Sequence, residues 1–188
     1  MAKTRRRTSP RKRTAPAAST TPSNQTAFEL SDEEVERALQ TGAYAGLLED
    51  YFGPEQYAEL RQLKRDAAAR SVRGGPRILL LPGIMGSKIG RDRKLNPFDD
   101  IVWVDPVGIA RGHLTNIALP DAGRYKATGV MLIAYLKLKL RLEREGYDVD
   151  FHPFDWRKSI SDLGEELKAK LAKLGDGTSL VAHSMGGL

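Results

Sequence analysis

No cysteine occurs among the 188 residues, which excludes disulfides, thiolate metal sites and a cysteine nucleophile. Long apolar runs are missing too. The longest, residues 130 to 136, falls far short of the roughly 20 residues needed to span a bilayer, so membrane contact, if any, is expected to be peripheral. Acidic residues are absent before Glu29, and no apolar stretch follows the basic start, which argues against a secretory signal; the Arg-rich, acid-poor composition also suits an organelle transit peptide. A cytoplasmic location is the default expectation.

What is present divides unevenly. Apolar residues make up 40% of the chain, enough for a sizeable core. The net charge of +6 arises almost entirely at the front: Lys3, Arg5, Arg6, Arg7, Arg11, Lys12 and Arg13 leave 23 bases against 24 acids from Phe28 onward. Residues 1 to 27, rich in Ser, Thr, Pro and Ala, cannot bury enough surface to offset their ordering entropy and read as a disordered basic arm. Such an arm is a solubilising extension or a weak contact for an anionic surface; nucleic acid is not expected as the main partner of a near-neutral body.

Residues 28 to 73 read as a helical segment. Ser31 followed by Glu34 has the form of a capping box, Gly42, Gly46 and Gly53 interrupt the next stretch, and Pro54 suits the first position of a helix reaching about residue 70. From 74 to 188 the pattern changes. Ile78, Leu79, Leu80 and Leu81 form an uninterrupted apolar run, the mark of a buried, parallel strand. Residues 86 to 127 show little regularity apart from residues 101 to 104, and a segment of that kind suggests a lid. Leu136, Leu138, Leu140 and Leu142 alternate with bases as in a strand, while Leu132, Ile133, Leu136 and Leu140 share a helical face; a parallel sheet needs a crossover here, so residues 130 to 145 are read as helix. A strand at 147 to 151, a helix at 159 to 174 with Leu163, Leu167, Leu171 and Leu174 on one face, and a strand at 179 to 181 complete the order. Strand, helix, strand, helix, strand indicates an α/β doubly wound sheet.

The last strand runs into Ala182, His183, Ser184, Met185, Gly186 and Gly187, a nucleophile-elbow pattern of small-x-Ser-x-Gly. A serine oxygen is aimed out of the sheet only if the chain turns sharply from strand to helix, and bulky side chains two residues either side would collide with neighbouring backbone. Alone the pattern is weak, because roughly one chain in seven of this size matches by chance; its position after a strand and before a Gly pair is what lifts it above a serine in an ordinary turn. The second element is Leu81, Pro82, Gly83, Ile84, Met85, Gly86 and Ser87, leaving the apolar strand. An oxyanion needs fixed N–H donors, one following the nucleophile and one from the loop after an early strand, which here makes Met185 and Ile84 the candidates.

Together these motifs, with Phe154, Asp155, Trp156 and Arg157 after a strand, resemble the lecithin:cholesterol acyltransferase family of α/β-hydrolases over about residues 76 to 188. The resemblance implies an α/β-hydrolase fold and acyl-ester chemistry on lipids, transferase or hydrolase, with Ser184 as nucleophile, Ile84 and Met185 as oxyanion donors, and no metal or organic cofactor. In this class the acid and the histidine follow the nucleophile in the chain, whereas His113, His152 and His183 all precede Ser184. The chain is therefore expected to be the front part of a hydrolase, inactive by itself and prone to aggregate through an uncovered sheet edge. A non-catalytic module that binds anionic surfaces through its arm, and a general carboxylesterase or triacylglycerol lipase, are the competing readings.

Overall fold

A computed structural model describes residues 27–70, 75–91, 100–103, 118 and 125–188. The basic arm thus lies outside the described residues but for Ala27, as does most of the expected lid. Helix α1 (Asp32–Thr41) begins where expected: Ser31 is extended, and its hydroxyl accepts from Glu34 N at 3.2 Å. The Glu34 carboxylate pairs with Arg37. Gly42, at φ 83°, ends α1 in the left-handed region that glycine favours.

The stretch that three glycines were expected to interrupt contains a second helix, α2 (Ala45–Phe52). Gly46 costs that helix roughly 1 kcal/mol relative to alanine, but Leu48 and Phe52, four residues apart, are both buried, and their burial outweighs it. Helix α3 (Pro54–Arg70) follows after Gly53. Leu30, Val35, Leu39, Leu48, Leu60, Leu136 and Leu140 are fully buried in one cluster, so α1, α2 and α3 pack on the crossover helix α4 (Leu132–Arg144). The helical reading of that ambiguous leucine–lysine run was correct. Tertiary packing also explains its alternation: Lys139, which a strand would expose, is buried between Glu36 and Glu143.

Strands β1 (Arg77–Leu81), β5 (Asp148–Phe151) and β6 (Ser179–Ala182) form a parallel sheet in the order β5-β1-β6. Ile78 lies opposite Val149 on one side and Ser179 on the other. Ile78, Leu80 and Val149 pack with Leu142 of α4, whereas Leu81, on the opposite face, meets helix α5 (Ile160–Leu174). The chain winds to one side of β1 and then back to the other, so the adjoining carboxyl ends of β1 and β6 mark the switch point of the sheet, the place where such sheets bind ligands.

Residues 86 to 127 depart from the expectation of a lid with little regular structure. They carry β2 (Ser87–Arg91), β3 (Asp100–Trp103) and the start of β4 (Lys126–Val130), an antiparallel sheet in the order β3-β2-β4. The alternation that betrays a strand is hidden because Lys88 points into the interior. Its ammonium lies 2.9 Å from Asp32 and donates to Leu30 O at 2.8 Å, and the same Asp32 accepts from Val130 N at 2.8 Å. Helix α1 is thereby tied to β2 and β4. The protein is α/β in the general sense, with parallel and antiparallel sheets, and no helix among the described residues is long and apolar enough to cross a membrane.

Candidate active site

Strand β6 ends at Ala182, His183 stays extended (φ −115°, ψ 128°), and Ser184 then enters a short 3-10 turn, Ser184–Gly187. Ser184 itself has φ 52°. Left-handed backbone is costly for a residue with a side chain and collects at functional sites. Neighbouring chain leaves little room around it: a methyl group on Gly186 would come within 2.5 Å of Pro82 O, and one on Gly83 within 3.1 Å of Ser184 Cβ. Small residues at these positions thus follow from the packing of one turn against the next. The Ser184 hydroxyl makes no hydrogen bond among the described residues.

The loop leaving β1 is equally constrained. Gly86 N donates to Gly83 O at 3.0 Å, closing a turn over Ile84 and Met85, and Met85 sits at φ 59°. A left-handed third residue is what a type II turn demands, usually of glycine. Trp103 Nε1 donates to Met85 O at 3.2 Å, and Met131 N to Gly86 O at 2.9 Å, so β3 and the start of α4 hold the turn from two sides. His183 N donates to Leu81 O at 3.0 Å, extending the β1–β6 pairing up to Ser184. Ser184 and the turn bearing Ile84 are therefore adjacent. The amides of Ile84 and Met185 donate to no acceptor among the described residues. Ile84 is 57% exposed.

Asp155 and Arg157 form a buried two-pronged ion pair, with Nε to Oδ1 at 2.7 Å and a terminal nitrogen to Oδ2 at 2.6 Å. Arg157 also donates to Tyr125 O, Trp156 Nε1 to Ser87 O, and Phe154 N to the buried Ser87 hydroxyl. Trp156 meets Trp103 edge to face, with centroids 5.5 Å apart. The Phe154 to Arg157 segment thus braces the exit of β5 against β2, and through Trp103 it reaches the Met85 turn.

Of the histidines, His113 lies outside the described residues. His152 borders an apolar cavity of about 150 Å³ shared with Leu81, Phe154, Leu163, Leu167 and Met185; burial, reinforced by Lys170 and opposed by Glu166, pulls its pKa below the ordinary histidine value. His183 directs Nδ1 to the Tyr135 hydroxyl at 3.0 Å. Tyr135 and Trp103 are the neighbours of the site that sequence reasoning missed, and Ser87 was read only as the end of the loop motif. Nothing in the sequence marks these contacts, because each joins distant segments.

Comparison with protein-family models, with curated proteins and with solved structures finds no match to this chain.

Proposed function

We propose that this chain carries the nucleophile and oxyanion loop of a serine-dependent enzyme of the α/β-hydrolase type, acting on lipid esters as an O-acyltransferase or hydrolase. The observation that carries the reading is the left-handed Ser184 between strand and helical turn, packed so closely on the β1 loop that Gly186 has no space for a side chain and Gly83 has little. A strained non-glycine residue held by its surroundings points to a site rather than to an ordinary turn. The exposed Ile84 and Met85 beside it, and the apolar cavity against Met185, suit an acyl chain better than a polar substrate.

In the reaction, Ser184 Oγ attacks the ester carbonyl carbon as its proton passes to a base. The carbonyl oxygen becomes an oxyanion facing the Ile84 and Met185 amides. The bond to the leaving alcohol then breaks, the alcohol takes the proton, and the acyl group remains on Ser184 until water or an acceptor alcohol removes it. In this class the acid and base follow the nucleophile in the chain, so His183, which precedes it, is not assigned as the base.

An alkyl fluorophosphonate should form a covalent adduct on Ser184 in the product of the complete reading frame, located by peptide mass analysis. Ser184→Ala should abolish the adduct. Undiminished labelling of that variant would overturn the assignment.

A further inference from the structure

Tyr135, half-buried beside the Met85 turn, belongs to no motif. Its hydroxyl lies 3.0 Å from Gly83 N, from which it accepts a hydrogen bond, and 3.0 Å from His183 Nδ1. One phenol oxygen therefore bonds both the loop that presents Ile84 and the residue that precedes the nucleophile. The glycines of the loop make room for it. A methyl group on Gly86 would fall 2.8 Å from the Tyr135 hydroxyl, and one on Gly83 would fall 3.0 Å from His183 Nδ1. At its other end the tyrosine is packed against the helical core.

One arrangement of protons carries the bonds through without a break. The Gly83 amide has one proton to give, and it goes to the phenol oxygen. A phenol has a single proton of its own. If His183 donated from Nδ1, the phenol proton would have no acceptor among the described residues; if the phenol donates to Nδ1, its proton and the Nδ1 lone pair are both used inside this chain of bonds. In that arrangement the ring proton of His183 sits on Nε2, and the chain of bonds runs from Gly83 N–H through Tyr135 O–H to His183 Nδ1.

We propose that Tyr135 is a positioning residue of the acyl-ester site, clamping the β1 loop to the elbow through Gly83 and His183 so that the amides of Ile84 and Met185 are held at a fixed separation before substrate arrives. The inference rests on the function proposed above. Tyr135 touches neither substrate nor the reacting atoms. Its effect falls on the reacting geometry, because donors placed in advance are what stabilise a developing oxyanion.

The test uses the product of the complete reading frame and a soluble alkyl fluorophosphonate. Tyr135→Phe should lower the maximal rate of Ser184 labelling by about tenfold, the scale of one lost hydrogen bond, and should leave the half-saturating probe concentration unchanged. His183→Leu should give the same loss, the double variant should lose no more than either single one, and His183→Asn, which keeps an acceptor near the Nδ1 position, should recover most of the rate lost in His183→Leu. Nitrogen-15 NMR of the selectively labelled parent should show the His183 Nε2–H tautomer, with tautomers mixing in Tyr135→Phe. A parent labelled at Ser184 with Tyr135→Phe reacting equally fast would overturn the clamp and leave the acyl-ester reading standing; a parent that takes no label would sink that reading, and the clamp with it. Should Tyr135→Phe fail to fold, a proton found on His183 Nδ1 in the parent would overturn the proposal by itself.

Discussion

Replacing Lys88 with methionine removes one half of an ion pair that the fold has taken out of water. The Lys88 and Asp32 side chains are 4% and 11% exposed, with 2.9 Å between charged atoms. Methionine fills much of the same space, so little packing is lost. What remains is a carboxylate among apolar neighbours, its one surviving bond coming from Val130 N. Deleting one partner of such a pair costs about 3–5 kcal/mol, a large share of the 5–15 kcal/mol that holds an ordinary domain together. For a chain of this size that corresponds to a fall in Tm on the order of 10 °C. Thermal melts followed by far-UV circular dichroism measure it directly. Adding Asp32→Asn should restore part of the loss, because an amide still accepts from Val130 and no longer carries a buried charge. A Lys88→Met protein melting within about 2 °C of the parent would refute the reasoning, since α1 would then not be docked on β2 and β4 through this pair.

Two further outcomes follow from the geometry. Gly186→Ala brings a methyl group to 2.5 Å from Pro82 O and 3.0 Å from Leu81 O, both backbone, whereas Gly187→Ala meets only Ala182 Cβ at 3.8 Å; the first should cost about 1–3 kcal/mol and slow Ser184 labelling, and equal effects from both in urea melts would contradict the packing described. Acid should loosen the helical layer through Glu36: burial pushes its carboxyl up, but Lys139 and Lys64 together pull it further down, below the ordinary carboxylate value. A carboxyl depressed in the folded state contributes stability above its unfolded value of about 4.3, and the contribution disappears as pH falls through the folded value. Glu36→Gln should therefore flatten the loss of stability below about pH 5, and an unchanged pH slope in urea melts would show that Glu36 is not its source.

Features written into short stretches of sequence could be read in advance: the Ser31 cap, the helix opening at Pro54, the apolar β1 strand and the small residues framing Ser184. Each depends on neighbours within a few positions, where propensity and spacing act directly. The antiparallel sheet was illegible for a physical reason. In β2, an inward-facing lysine balanced by an aspartate 56 positions earlier erases the polar–apolar alternation that marks a half-buried strand. Helix α2 was concealed by Gly46, whose low propensity is offset by burial of Leu48 and Phe52. Around Ser184, the turn after a strand and the loop leaving β1 were legible from local pattern, but the contact of Tyr135 with both was not, since it depends on where the crossover helix docks. The Asp155–Arg157 pair braces the exit of β5 beside an aromatic ring, and Ser87 supplies the anchor that the motif alone did not disclose.

Helix α4 serves two masters. Leu136 and Leu140 are sealed into the helical layer formed by α1, α2 and α3, while Tyr135, on the same turn, reaches the β1 loop and the elbow. Any substitution that lets that layer slide should be felt at the serine as a change in reactivity before the protein as a whole gives way. The front third of the described chain, remote in sequence from Ser184, is for that reason a place to tune the site without touching it.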